Sequence, residues 1–352
     1  MCQPSFNNPC GRMIDINDAV GTVLAHDLTE IRPGEFKGPA FKKGHVVTPD
    51  DLGRLARLGK RRLYVLDIPP GMMHEDEAAL VLAGALAGPG VTYTPSPSEG
   101  KINLKADCDG LLKVNAQALT DFNLREGVMC ASRHTDSLVR RDEIVAGTRA
   151  IPLIIAQTVV EEAAEVARRA GGVIEVKPLA RPLTGLVITG HEVYSGLIQD
   201  RFAPKIKPKL EAFGCTILPE VFAPDDPDFI ARAIGDLLGQ GARLLVLTGG
   251  MSVDPDDVTR HAVAKAGAGD ILYGSAVLPG AMLMLAGIDG VPIIGVPACA
   301  LFHERTIFDF VLPRVLAGEK LTRRDLAALG HGGLCLNCQV CRFPVCPFGK
   351  HV

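Results

Sequence analysis

Two groups of residues have the types and spacing to do chemistry. The first is Thr248-Gly249-Gly250-Met251-Ser252-Val253-Asp254-Pro255-Asp256-Asp257-Val258-Thr259. A glycine pair can offer backbone N–H groups to an anion without side-chain obstruction, and the N-terminus of a following helix adds positive potential. Asp254, Asp256 and Asp257 crowd that terminus. Acids cap helices routinely, but three beside a glycine pair also suit Mg2+, which takes one or two carboxylates together with phosphate oxygens. The string Gly250-Met251-Ser252-Val253-Asp254 has the outline of a nucleophile elbow but lacks the closing glycine, which argues against a serine hydrolase. The second group is Cys335-x-x-Cys338-x-x-Cys341-x4-Cys346-Pro347. Loose thiols at that density are an oxidation liability, so ligation of zinc or an iron–sulfur cluster is the expectation, with His331 and His351 as flanking substitutes. The tail is expected to order around its metal.

Other segments are weaker. Thr189-Gly190-His191-Glu192 and the later Asp200 place a glycine and two carboxylates after an apolar run. Leu278-Pro279-Gly280 and Gly295-Val296-Pro297-Ala298 read as strand-end turns. Gly84–Gly90 is not a dinucleotide fingerprint, because it ends a helix and contains Pro89. His74-Glu75-Asp76-Glu77 could ligate a metal but reads first as a solvated helix start, and His26-Asp27 and His45 have no partner assignable from sequence.

The elements that position these groups follow from periodicity. From Leu183 onward, strands alternate with helices: LTGLVIT, CTILPEVF, the helix DPDFIARAIGDLLGQG, RLLVLT, a helix beginning around Pro255, ILYGSAV, VPIIGV and a helix over about 303–317. Asp226 caps the Pro227 helix, whose Phe229, Ile230, Ala233, Ile234, Leu237 and Leu238 share a face. Pro208 predicts a kink or a late start in the helix around it. This alternation predicts an α/β fold with a mostly parallel sheet covered by helices on both faces. Ligands in such sheets bind beyond the carboxyl ends of the strands. The preceding chain reads as β-rich α+β, with a helix capped by Thr48 that opens at Pro49 and runs to about Leu58, and further helices around residues 74–88 and 157–170. The expected division is residues 1–180, residues 181–320, and 321–352 as a helix plus Cys-rich tail, with a boundary near Pro178–Pro182.

Composition narrows the classes. The chain has 352 residues, 47% hydrophobic and 22% charged, enough for a sizeable core. A net charge of −3, no Trp and four Tyr argue against nucleic-acid binding. No apolar run reaches membrane-spanning length and no signal peptide is legible, so a cytoplasmic protein without membrane partners is expected. The six scattered cysteines read as buried or free thiols and not as a disulfide framework.

These motifs together carry a resemblance. Residues 183–317 resemble the domain shared by molybdopterin molybdenumtransferases and molybdopterin adenylyltransferases. TGHE resembles the transferases' TG-acid-E motif, with Glu192 in the acidic position, and Gly196–Asp200 resembles the run that follows it. TGGMSVDPDDVT resembles the glycine-pair loop of both groups, with Asp257 at their shared aspartate. LPGAM and GVPACALFHERTIFDFVLPRVLAG resemble the later Pro-Gly turn and the closing strand-turn-helix, and FKKGHVVTPDDLGRLARLGKRRLYV resembles the stretch preceding this domain. The whole chain, tail included, looks like a bacterial subfamily of molybdopterin-binding proteins. It departs at Pro297-Ala298-Cys299-Ala300, where the transferases carry Pro-Gly-Asn-Pro, and lacks their Ser-Ala-Met-Asp-Gly-Tyr block. The CxxCxxC run followed by Cys-Pro is similar to bacterial ferredoxins, although their last gap is three residues.

The resemblance implies molybdenum cofactor biosynthesis: binding of molybdopterin or its adenylate, and insertion of molybdate with Mg2+ by a molybdenumtransferase. It implies that Gly249 and Gly250 hold the pterin's phosphate, and that Asp257 and Asp200 are catalytic and hold Mg2+. Thr189, Gly190, Glu192, Thr248, Ser252, Pro279, Gly280 and Pro297 complete the expected ligand set. It leaves open a homo-oligomer and contacts with molybdoenzymes or cofactor-pathway proteins. Two alternatives stand beside it. Competence-damage-inducible nucleotide pyrophosphatases share the domain and a similar ending, here Asp256-Asp257-Val258-Thr259. A non-catalytic molybdopterin carrier or sensor would use the tail.

Overall fold

The computed structural model describes residues 11–25, 27–32, 36–66, 68–98, 100–251 and 258–350. The chain forms two compact units that change over at Val176–Lys177, with Asp109–Leu111 and Asp136–Leu138 counted in the second. No described helix is long and apolar enough to cross a membrane.

The first unit has two cores. Gly11–Asp15, Arg62–Leu66 and Val23–Leu24 make a small antiparallel sheet whose core gathers Leu24, Leu55, Leu63 and Val65. His45, without a partner in the sequence reading, pairs with Asp51 at 2.7 Å. The second core lies between a four-stranded antiparallel sheet and the helices Glu75–Leu86, Ala116–Asn123 and Gln157–Arg169. Lys101–Ala106 buries every second residue, the period of a half-buried strand. Gln157–Arg169 buries Val160, Ala163, Ala164 and Ala167, the i, i+3, i+4, i+7 stripe of an amphipathic helix. The expected solvated start at His74 is instead buried: His74 is 4% exposed and Glu75 8%. His74 Nδ1 accepts from the Asp76 N–H at 3.2 Å, and Glu75 pairs with Arg149 at 2.8 Å. The cluster is therefore a cap and an ion pair between a buried carboxylate and a half-buried guanidinium.

The second unit is built in chain order from β1 (Leu183–Thr189), α1 (His191–Tyr194), α2 (Ala203–Ala212), β2 (Thr216–Ile217), β3 (Val221–Ala223), α3 (Pro227–Gly239), β4 (Leu244–Thr248), α4 (Thr259–Lys265), β5 (Gly269–Tyr273), β6 (Met284–Ile288), β7 (Val291–Val296), α5 (Phe308–Leu316) and α6 (Arg323–Ala328). The sheet order is β2-β1-β4-β7-β6-β5, with β3 also pairing β1. β1 runs parallel to β2, β3 and β4, and β4 parallel to β7, whereas β6 and β5 return antiparallel. The segment CTILPEVF makes two short strands, β2 and β3, because Pro219 between them has no N–H for a ladder.

Both faces of this sheet are buried, which explains why β4 reads as a continuous apolar run. Leu186, Ile188, Leu244, Val246, Ile294 and Val296 pack with α2, α5 and α6. The alternate residues Val187, Leu245, Leu247 and Ile293 pack with α3 and α4. At about 1.5–3 kcal/mol per buried Leu, Ile or Val side chain, these two layers hold the sheet ends in place. Asp226 caps α3 by accepting from the Phe229 N–H at 2.8 Å, and α3 buries Ile230, Ala233, Ile234 and Leu237. Helix α2 starts at Ala203 and includes Pro208, so the start is not delayed. Helix α5 starts later than the sequence suggests. The Thr306 N–H donates to Asp309, the Phe308 N–H donates to the Thr306 hydroxyl, and capping there sets the start. Asp309, 5% exposed, also accepts from Lys209 of α2 at 2.7 and 2.8 Å, tying two helices of one face together.

Candidate functional site

The strand registers place the expected segments at one edge of the sheet. Ile188 is opposite Thr248, and Thr248 opposite Val296, so Thr189-Gly190, Gly249-Gly250 and Pro297 leave three neighbouring parallel strands side by side. Met284 is opposite Gly295 and Tyr273 opposite Met284, so the loop carrying Pro279-Gly280 springs from the same edge. This is the carboxyl edge of the parallel strands, where open α/β sheets bind ligands.

Beneath the glycine pair lies a cluster of threonines. Thr189 Oγ1 donates to the Thr248 carbonyl at 3.0 Å and lies 3.2 Å from Thr259 Oγ1, while Thr259 Oγ1 donates to the Gly249 carbonyl at 3.1 Å. Thr189, Thr248 and Thr259 are all buried. The Thr248 hydroxyl has no hydrogen-bond partner among the described residues. Both glycines are left-handed, with φ of 84° and 57°. A Cβ at Gly249 would overlap the Thr189 carbonyl oxygen and lie 2.6 Å from Thr189 Oγ1, and one at Gly250 would overlap Thr259 Oγ1. The threonines thus require glycine at both positions and lock the loop at the strand end. Two contacts that the motifs do not reveal continue the rim. Tyr273 Oη donates to the Met251 carbonyl at 2.5 Å, and the Arg260 guanidinium lies 4.2 Å over the Tyr273 ring. A conjugated cation over an aromatic face is worth about 0.5–2 kcal/mol.

The other expected residues take varied places. Gly190 has φ of 141°, and its N–H donates to the Ala223 carbonyl at 3.1 Å. The following His191 N–H donates to Asp225 at 2.8 Å, an acid the sequence motifs did not single out. The Glu192 side chain is exposed. Asp200 accepts from the Phe202 N–H at 2.7 Å through Oδ1 and from the Ala203 N–H at 2.9 Å through Oδ2, so both its oxygens hold the turn that leads into α2. Gly280 fits closely under Ile307, and Ile307 donates its N–H to the Pro279 carbonyl at 3.2 Å. Pro279-Gly280 is therefore a packed turn that joins the edge loop to the start of α5. Pro297 is buried at the head of a 3-10 turn, Ala298–Leu301. Ser252 and Asp257, with Asp254 and Asp256, lie outside the described residues.

No three His, Cys, Asp or Glu side chains among the described residues converge to hold an ion. That geometry does not speak to Mg2+, which needs only one or two carboxylates when phosphate and water complete its shell. It does speak to the tail. Cys335, Cys338, Cys341 and Cys346 line one cavity of about 280 Å3 without closing on a single point. The tail is also anchored by its own contacts: Leu334 bridges Leu278, the Gly349 N–H donates to the Gly332 carbonyl at 2.9 Å, and Phe348 is 4% exposed in the core.

Comparison with known proteins agrees with this arrangement. Residues 185–317 match the family described as "Probable molybdopterin binding domain", and residues 13–67 match a domain of unknown function. A molybdopterin molybdenumtransferase from Synechococcus elongatus is 31% identical over 110 residues, covering 29% of this chain and 27% of that protein. A CinA-like protein from Desulfosudis oleivorans is 40% identical over 81 residues, covering 23% of this chain and 19% of that protein. The chain thus spans about a quarter or less of the length of these relatives. The molybdopterin biosynthesis enzyme MoaB from Thermus thermophilus superposes with a TM-score of 0.35 at 18% identity, covering 40% of this chain and 99% of that one. Residues 185–317 are therefore similar to the molybdopterin-binding domain family, and parts of the chain are similar to a molybdopterin molybdenumtransferase and to a CinA-like protein.

Proposed function

We propose that the second unit binds molybdopterin or its adenylate at the carboxyl edge of the sheet and promotes molybdate insertion with Mg2+. The observation that carries this reading is the Gly249-Gly250 turn, locked on Thr189 and Thr259 beside the ends of β1 and β7. In this reading the N–H groups of Gly249 and Gly250 receive the terminal phosphate, which is substrate. Preorganised backbone donors do not have to reorganise when charge arrives, so the threonine cluster serves binding by fixing the loop in advance. Thr189-Gly190, with His191 tied to Asp225, forms the neighbouring wall, and Pro297 bounds the far side. Molybdate is a tetrahedral oxyanion and suits the same kind of donor set as phosphate. We assign Asp257 as the carboxylate that would hold Mg2+, which when bound would neutralise anionic charge. Asp200 fixes the turn that enters α2 and the rim preceding it.

One observation favours a second reading. The 40% identity over 81 residues is to a CinA-like protein, and Asp256-Asp257-Val258-Thr259 fits the pyrophosphatase ending. The experiment that separates them incubates the full chain and Mg2+ with adenylated molybdopterin plus molybdate, and separately with ADP-ribose. Molybdenum-loaded cofactor and AMP from the first mixture support the transferase reading. AMP release from ADP-ribose alone supports the pyrophosphatase. Retention of pterin with no turnover in either mixture identifies a carrier.

A further inference from the structure

We propose that the C-terminal tail holds one [4Fe–4S] cluster, ligated by Cys335, Cys338, Cys341 and Cys346. This inference is independent of what the glycine-pair site binds. Three features carry it.

The first is convergence on a space and not on a point. All four cysteines line the same cavity of about 280 Å3, yet no three groups approach closely enough to share one ion. A single tetrahedral zinc with bonds of about 2.3 Å draws its four sulfurs to within about 4 Å of one another and leaves no cavity. Thiolates around a cluster stand farther apart because the inorganic core lies between them.

The second is that both ends of the tail are anchored on the α/β unit. Its entry is pinned by two backbone bonds at 2.8 Å, from the Leu278 N–H to the Gly333 carbonyl and from the Cys335 N–H to the Leu278 carbonyl. Its exit is pinned by Phe348, whose ring lies 4.7 Å from Phe310, and by Gly349 packed against that same ring. Between them, Asn337 at φ 49° turns the chain, with its side chain 3.2 Å from His303 Nδ1. Cys346 is brought into the same cavity as the CxxCxxC run. This suits one four-thiol cluster and differs from two-cluster ferredoxins, where the last cysteine serves another centre.

The third is the lining. Phe343 and Phe348 supply an apolar wall, and Arg305, stacked 5.3 Å over Phe343, lines the same cavity. Arg305 Nε is buried and makes no hydrogen bond among the described residues. The same guanidinium pairs with Asp309 through Nη1 at 3.0 Å, which fixes it at the border of the cavity and leaves its Nε–H as a donor for sulfur. Assembly replaces four S–H bonds by four Fe–S bonds and releases four protons to solvent. The iron and sulfide come from outside the chain, as two ferrous ions, two ferric ions and four inorganic sulfides, which make up the 2+ core with no further change of oxidation state.

The test purifies the full chain anaerobically, measures iron, zinc and acid-labile sulfide, and then repeats the measurement after anaerobic reconstitution with equal amounts of ferrous and ferric ion and with sulfide. The expected result is about four irons and four sulfides per chain, with a broad visible absorption that dithionite bleaches. Cys338→Ser and Cys341→Ser, at exposed positions, should each lose iron and the visible band while far-UV circular dichroism stays unchanged. One zinc per chain without bound iron after reconstitution would overturn the proposal in favour of a single ion. So would four freely titrating thiols in the reconstituted native protein, or variants that retain full iron and colour.

Discussion

Gly250→Ala should destabilise the second unit by an amount that a second mutation can partly undo. Gly250 sits at φ 57°, and an added Cβ overlaps Thr259 Oγ1. Placing a non-glycine residue in the left-handed region costs about 1–2 kcal/mol. Forcing an extra methyl into a packed site costs about 1–3 kcal/mol more. The single mutant should therefore lose about 2–5 kcal/mol, and a larger residue such as Val should lose more. Thr259→Ala removes the overlapping oxygen, so Gly250→Ala in that background should cost only the backbone part, about 1–2 kcal/mol. Gly249→Ala is the contrast. Its Cβ overlaps the Thr189 carbonyl oxygen as well as Oγ1, and a carbonyl is not removed by truncating a side chain. Thr189→Ala should therefore rescue Gly249→Ala little. The assay is urea unfolding of the full chain, read by hydrogen exchange of peptides from residues 183–316. The expected coupling is about 1–3 kcal/mol for Gly250 with Thr259 and close to zero for Gly249 with Thr189. Equal rescue in both pairs, or none in the first, would refute the packing described here.

Three further outcomes follow. Asp257→Asn should leave pterin affinity intact in a calorimetric titration and lower turnover by about 10²-fold or more, as expected for a lost metal ligand; full turnover would remove Asp257 from the reaction. Asp200→Asn keeps one of the two acceptor oxygens and should lose less stability in urea unfolding than Asp200→Ala, which should lose about 1 kcal/mol, and it should leave turnover unchanged. Burial raises the Asp325 pKa, but hydrogen bonds from Thr322 and the Arg314 guanidinium more than offset this, and the net shift is downward. A lowered carboxylate pKa stabilises the fold above the unfolded value of about 3.9, and that stability is lost as pH falls through the folded value. Thr322→Ala should therefore flatten the acid limb of a stability–pH curve below about pH 4 and leave the neutral limb's slope unchanged.

The sequence makes the parallel half of the sheet legible because β1, β4 and β7 are apolar on both faces and end in glycine or proline. Asp226-Pro227 and the Ile230–Leu237 stripe announce α3 for the same kind of local reason. The antiparallel half is legible only in part, since ILYGSAV announces β5 but nothing announces β6. β6 lies in AMLMLAGIDG, where a short apolar run gives no period to separate helix from strand. The candidate site divides along the same line. Glycines and threonines at strand ends declare a close backbone approach, so Gly249, Gly250 and Thr189 stand out. Asp225, Arg260 and Tyr273 act through contacts formed only when distant strands meet, and no spacing rule marks them. Asp200 shows the opposite limit, since an acid three residues before a helical stretch reads equally as a ligand or a cap. The tail's four thiols were plain in the sequence, but its anchorage was not. Phe343 and Phe348 look isolated there, and they find Phe310 only after α5 is packed on the sheet.

The central claim is that the sheet edge at Gly249-Gly250 binds molybdopterin. The most direct measurement is a calorimetric titration of the full chain with molybdopterin under anaerobic conditions, beside a titration with ADP-ribose. The account predicts saturable binding of one molybdopterin per chain, weakened by Gly249→Ala, and no comparable binding of ADP-ribose. Absence of molybdopterin binding by the folded wild-type chain, or tighter binding of ADP-ribose, would contradict it.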